Sequence, residues 1–287
     1  LIASAGIIAP VIPPSIGFVI FGVSANLSIG KLFLAGIVPG LLLGVGIAAA
    51  WYVVARRENA VPPPRAGRAE RLAALKASGW AMLLPVIVLV GLRMGVFTPT
   101  EAAVVAAVYA LFVATVVYRE LPPAALLLVF VRAAKTTSVI MFLVAAAMVS
   151  AWLITVANVP AQLVALLRPF MDHPTLLLIA IMLLVIAVGT AMDMTPTILI
   201  LTPVLMPVVK AAGIDPIYFG VLFIINNAIG LITPPVGTVL NVVAGVGRMR
   251  MDDVTRGVLP FMAAQFGVLL LLVLFPQLVL WPLKLFY

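Results

Sequence analysis

The residues able to do chemistry stand at breaks in apolar segments. One break reads Gly189-Thr190-Ala191-Met192-Asp193-Met194-Thr195-Pro196. A second reads GLITPPVG over residues 230–237, and a third runs from Ala9 to Ser15 around Pro10, Pro13 and Pro14. A helix interrupted inside a membrane leaves unpaired carbonyls at the end of its first half and unpaired N–H groups at the start of its second. The carbonyls are partial negative charges and suit a hard cation such as Na⁺. The N–H groups are partial positive charges and suit a carboxylate. Glycine permits the twist that turns carbonyls inward, and Gly189 and Gly230 are each expected to end a half-helix. Thr195-Pro196 and Thr233-Pro234 have the form of an N-cap followed by a first helical residue. Thr233 adds a hydroxyl oxygen, while Pro234 and Pro235 remove donors that would repel a cation.

Other polar residues are few. Asp193 is the only acid inside an otherwise apolar stretch, which makes it a functional candidate by position. Two readings stand: it pairs with a cation, gates access or carries a proton, or it caps the tip through nearby N–H groups. Asn226, Asn227 and Asn241 either join helices or contact a substrate. There is no cysteine, and the single histidine, His173, lies beside Asp172 and Pro174 in an expected surface loop. Neither a nucleophile–base pair nor a metal cluster is available, so an enzyme is not expected. A passive channel or assembly subunit would differ from a carrier in showing flux without gradient coupling.

The elements holding these residues are membrane helices. Of 287 residues 65% are hydrophobic and 9% charged, and mean hydropathy is +1.30. An ordinary soluble domain is about half apolar and about a quarter charged. Apolar runs of about 20 residues recur, the length that spans about 30 Å of hydrocarbon, and the alternation of a barrel strand is missing. The formal charge of +8 is assigned to Lys and Arg of cytoplasmic loops, not to nucleic acid. The basic segment 56–77 is the most polar and divides the chain into halves.

Residues 28–55 and 78–97 read as crossings, and Thr98-Pro99-Thr100-Glu101 as a capping box opening the next helix. Residues 121–135, with Arg132 and Lys135, read as an interfacial segment before a crossing over 136–158. Residues 174–212 read as a re-entrant hairpin with two arms of about 15 residues, each too short to span comfortably. Two ordinary tilted helices joined by a surface loop are the alternative. Asp215 and Pro216 open a helix that breaks at 230–237 and resumes to Gly247, and 254–283 is one last apolar stretch.

One broken helix followed by one long helix occurs twice. Pro13-Pro14 and Pro234-Pro235 are 221 positions apart, and so are GIVPG at 36–40 and GVLPF at 257–261. An odd number of crossings between the copies gives them opposite orientation. Arg56/Arg57 and Arg248/Arg250 then share the cytoplasmic side. An inverted repeat with broken helices marks a secondary transporter.

At these motifs the chain resembles the large membrane subunit of a tripartite ATP-independent periplasmic (TRAP) transporter. The matching pieces are IPPSIGFVIFG at 12–22, KLFLAGIVPG at 31–40, FTPTEAAVVAAVYAL at 97–111, GIDPIYFGV at 213–221 and NNAIGLITPPVG at 226–237. Such subunits are usually longer, so about the first third, with a first hairpin, is expected to be absent. The resemblance implies an all-α polytopic membrane protein of the ion transporter superfamily type. It would be an elevator-type, Na⁺-coupled importer in the bacterial inner membrane. Its partners would be a small membrane subunit and a periplasmic binding protein. That protein would deliver an organic acid: a C4-dicarboxylate, sialic acid or a similar carboxylate. Carried over residue by residue, the family's second Na⁺ site matches Gly189, Gly230, Thr233 and Val236, and the first falls on Ala9, Ile12 and Pro14. Members often have glycine where Ala9 stands. Substrate contacts are expected from Ser15, Asp193, Thr195, Asn226 and Asn241. The expected transport part is 1–27 with hairpin 174–212 and broken helix 216–247. The expected scaffold is 28–119 with 252–287, and 120–173 is an interfacial arm and connecting helix. A proton-coupled carrier using Asp193 is the rival.

Overall fold

The computed structural model describes residues 1–58, 66–171 and 173–286. Pro62, Pro63, Pro64 and Arg65 of the basic segment, and Asp172, lie outside the described residues. In chain order the helices are α1 (Ile2–Gly6), α2 (Ile16–Ala25), α3 (Ile29–Arg57), α4 (Arg68–Arg93) and α5 (Pro99–Phe112). α5 continues as a π-helix over Val113–Val117. Then follow α6 (Pro123–Val156), α7 (Val159–Leu167), α8 (Pro174–Ala191), α9 (Met194–Ala211), α10 (Pro216–Gly230), α11 (Thr238–Gly247), α12 (Met251–Leu274) and α13 (Gln277–Phe286). Among the described residues there is no strand, and seven helices are long and apolar enough to cross a membrane. The chain is an all-α polytopic membrane protein.

It divides into two compact units, Leu1–Glu58 with Leu143–Tyr287, and Asn59–Phe142. In the smaller unit α4 packs on α5. The Tyr109 hydroxyl donates to the Trp80 carbonyl at 2.8 Å, and the Tyr118 hydroxyl to the Ala77 carbonyl at 2.6 Å. The expected capping box is present: Thr98 Oγ1 accepts from the Glu101 N–H, and Glu101 accepts from the Thr98 N–H.

The larger unit is built around α10, which carries no charge and whose only polar side chains besides Tyr218 are Asn226 and Asn227. Every residue from Tyr218 to Gly230 is buried. Asp215 caps it, accepting from the Ile217 and Tyr218 N–H groups. Phe21 of α2 sits 5.5 Å from Phe223 and 6.3 Å from Phe219, ring centre to ring centre. Gly220 makes that fit: a Cβ there would lie 2.4 Å from the Phe21 ring. Gly36 of α3 does the same for Phe18, at 2.5 Å. Between membrane helices such small residues are what permit close packing.

The repeat holds at the level of elements. α2 and α11 each have ten residues and follow a break, and each precedes a long helix with an internal proline, Pro39 in α3 and Pro260 in α12. The Pro13–Pro14 and Pro234–Pro235 bonds are both cis.

Three boundaries differ from expectation. Residues 121–158 do not divide near 135: α6 runs unbroken from Pro123 to Val156. It has no glycine or later proline to stop it, and two charges do not end a helix. The last stretch is two helices, because Pro276 forces Phe275 out of helical geometry (φ −123, ψ 75). The hairpin arms, α8 and α9, each have 18 residues, about 27 Å at the helical rise. Arm length therefore does not distinguish re-entrant arms from crossings.

Candidate functional site

The tip of the α8–α9 hairpin lies against the break between α10 and α11. α8 continues past Gly189 to Ala191, so Gly189 sits in its last turn rather than ending it. There it meets Gly230, the last residue of α10. A Cβ on Gly230 would stand 2.9 Å from the Gly189 Cα and carbonyl carbon and 3.2 Å from its oxygen. Two backbones touch directly. Among the described residues no N–H reaches the Gly189 carbonyl, since α8 stops before a helical donor could. The Gly237 N–H donates to the Thr190 carbonyl at 3.3 Å, a second link between tip and break.

The caps are not where the threonines suggested. Asp193 is the N-cap of α9, its Oδ1 accepting from the Met194 N–H at 2.9 Å. Thr195 is already inside the helix. The turns after α10 continue to Gly237, the N-cap of α11 with a positive φ of 50, so Thr233 and Pro234 belong to the break. A glycine can take that φ without strain. Thr233 Oγ1 donates to the Ile229 carbonyl at 2.8 Å and keeps lone pairs for a cation. Its N–H closes a turn on the Gly230 carbonyl at 2.9 Å. The Val236 carbonyl accepts from Asn241 Nδ2 at 3.0 Å.

The first break faces a cavity of about 390 Å³ lined by Ala9, Pro14, Ile16, Gly17, Met194, Thr195 and neighbours. Ser15 caps α2: its hydroxyl accepts from the Phe18 N–H and donates to the Pro10 carbonyl. The helix starts of α2 and α9 converge here, with the Met194 sulfur 3.2 Å from where a Gly17 Cβ would sit. Among the described residues no acceptor reaches the N–H groups of Ile16, Gly17 and Thr195. These residues all line the cavity. Such an arrangement presents partial positive charge to an anion.

The cavity thus brings together Ala9, Pro14 and Thr195, with the Ser15 cap beside it. Ile12 turns its side chain toward Gly40 of α3, where a Cβ would lie 2.7 Å from it. Asn226 is fully buried elsewhere, donating to the Met182 carbonyl of α8 at 2.6 Å. Asn241 serves the second break. His173 is exposed at the start of α8. Gly17 and Met194 were not singled out in the sequence. The signal for Gly17 was a residue without a side chain one position into a helix that a serine caps.

Helices broken at two points, with a cavity at one break and a backbone crossing at the other, define a polytopic helical membrane protein with interrupted spans. Residues 1–278 match the family described as tripartite ATP-independent periplasmic transporter, DctM component. The chain belongs to that family, and it is a multi-pass protein of the bacterial inner membrane. It is 57% identical to the 2,3-diketo-L-gulonate TRAP transporter large permease protein of Escherichia coli K12, over 99% of this chain and 67% of that protein. It is 40% identical to the sialic acid TRAP transporter large permease protein of Vibrio cholerae, over 96% of this chain and 65% of that protein. The C4-dicarboxylate large permease protein of Pseudomonas aeruginosa is 37% identical, over the same shares, 96% and 65%. Proteins of this kind are transporter permeases, not enzymes.

Proposed function

We propose that the chain is the membrane permease subunit of a Na⁺-coupled importer of an organic acid. A periplasmic binding protein delivers the acid, and a small membrane subunit completes the membrane part. The relatives' substrates, a diketogulonate, sialic acid and C4-dicarboxylates, are all carboxylates. The unpaired N–H groups of Ile16, Gly17 and Thr195 favour the same chemistry.

One observation supports cation coupling above the others: the Gly189–Gly230 apposition. It sets an undonated carbonyl at a helix break that also carries the Thr233 hydroxyl, and broken-helix carriers hold Na⁺ with oxygens of this kind. It also supports the re-entrant hairpin. α10 has 15 residues, about 22 Å, so a tip lying on its end sits well inside a layer about 30 Å thick. In this reading 1–27 and 174–247 move against scaffold helices from 28–119 and 252–287. Na⁺ favours the arrangement that binds the acid, which requires different Na⁺ affinity in the two states.

The test is thermal unfolding of the full-length permease with its small subunit in NaCl, KCl and choline chloride at equal ionic strength. At ~100-fold excess over Kd, a ligand of the native state stabilises by about 2.7 kcal/mol. A saturable Na⁺-specific rise that Thr233→Ala removes is the expected result. Equal melting in Na⁺ and K⁺, with pH-driven uptake that Asp193→Asn abolishes, would replace Na⁺ by protons.

A further inference from the structure

Asn227 touches both arms of the hairpin. Its side chain is fully buried. Nδ2 donates to the Met194 carbonyl, at the start of α9, at 3.3 Å. A carbonyl only accepts, so the amide nitrogen must face α9 and the oxygen must face away. Oδ1 lies 3.2 Å from where a Cβ of Gly189 would stand, beside the undonated end of α8. No donor reaches it. A buried amide oxygen without a partner is costly unless a donor or a cation satisfies it. The first break has no such atom: 221 positions earlier stand Gly6 for Asn227 and Ile12 for Thr233.

We infer that Asn227 couples the cation site to the acid cavity. This rests on the sodium reading above. Oδ1 completes the oxygen set of Gly189, Gly230 and Thr233. Nδ2 holds the first turn of α9, whose Met194 and Thr195 line the cavity. A cation drawing on Oδ1 fixes the amide plane, and the same plane fixes the Met194 carbonyl. Coupling of this kind is reciprocal, so a bound acid tightens the cation site by the same factor.

The test again uses the full-length permease with its small subunit, and two readouts. One is the Na⁺ concentration giving half of the thermal stabilisation. The other is the rate at which a maleimide labels Thr195→Cys in Na⁺ against K⁺; residues 1–287 contain no cysteine of their own. Asn227→Ala is expected to raise the half-maximal Na⁺ concentration tenfold or more and to erase the Na⁺ effect on labelling. Asn227→Asp keeps an oxygen but, when ionised, has no donor. It is expected to keep Na⁺ stabilisation and still lose the labelling response, which a merely structural role would not separate. Melting in KCl checks that each variant folds. Wild-type Na⁺ dependence and labelling in Asn227→Ala, while Thr233→Ala loses its Na⁺ effect, would overturn this inference alone. Loss of Na⁺ stabilisation in a folded Asn227→Asp would overturn the ligand role. No Na⁺ effect in the unsubstituted protein would overturn the sodium reading, and the inference with it.

Discussion

Replacing Gly230 by alanine tests the crossing directly. The new Cβ would stand 2.9 Å from two backbone carbons of Gly189. Carbon atoms in contact settle at about 3.5–4.0 Å, so α8 must retreat by about 0.6–1 Å. No side chain can swing aside in its place. The retreat stretches a link that is already long, Gly237 N–H to the Thr190 carbonyl at 3.3 Å. Overpacking of this kind costs about 1–3 kcal/mol, offset in part by alanine's helix preference of up to about 1 kcal/mol. The net loss in KCl is therefore about 0–2 kcal/mol, and the protein folds. The Na⁺ increment behaves differently, because it depends on the Gly189 carbonyl and its neighbours staying within coordination distance. Of about 2.7 kcal/mol expected near 100-fold saturation, a tenfold weaker site loses about 1.4 kcal/mol. Melting curves in NaCl and KCl measure both quantities. Gly257→Ala is the control, since nothing lies within 4 Å of a Cβ there. If Gly230→Ala melts lower in KCl yet keeps its whole Na⁺ increment, the cation is bound elsewhere. If it changes neither, the backbones do not touch as described.

Two further substitutions probe the cavity and the core. Gly17→Val adds bulk against the Met194 sulfur, at 3.2 Å from a Cβ, and the Ile224 side chain, at 3.3 Å. It is expected to cut acid uptake in proteoliposomes at least tenfold while sparing the Na⁺ increment, and unchanged uptake would remove the cavity from the substrate path. Gly220→Ala drives a Cβ to 2.4 Å from the Phe21 ring and is expected to destabilise by about 1–3 kcal/mol. Adding Phe21→Leu should recover part of that loss, and strict additivity of the two losses in thermal unfolding would count against the contact.

Much of the architecture was legible because membrane helices announce themselves by length, and because Pro13-Pro14, Pro234-Pro235, Pro39 and Pro260 repeat at one offset. Capping was legible where the capping side chain comes right before the helix, as at Thr98 and Asp215. It misled at Thr195 and Thr233. Asp193 lay two residues before Thr195 and capped first, and the turns after α10 needed the positive φ that only Gly237 could supply. The joint in the last stretch lies at Pro276, and hydropathy does not register the loss of one N–H. Contacts between distant elements were illegible. Nothing in the spacing says that Gly189 meets Gly230, or that Asn226 faces Met182 while its neighbour Asn227 reaches Met194. Residues adjacent in a helix point about 100° apart, so a pair of asparagines serves two different partners.

The two breaks share a backbone device and differ in their side chains. At the second break the Gly237 N–H is taken by the Thr190 carbonyl and the Val239 N–H by the Leu231 carbonyl. Oxygen with room for a cation stands there, on Gly189, Thr233 and Asn227. At the first break the polar side chain is consumed, because the Ser15 hydroxyl is held by Pro10 and Phe18. N–H groups stay free there, on Ile16 and Gly17, joined across the cavity by Thr195 of the hairpin. Free oxygen attracts cations and free N–H attracts anions. In the proposed reading, coupling follows from a shared element: the hairpin tip belongs to both breaks, with Gly189 facing the cation and Thr195 the acid. Neither ligand can settle without setting the position of the same short turn, Met192-Asp193. A variant that lengthens this turn by one glycine should leave both sites present and weaken the effect of Na⁺ on acid uptake.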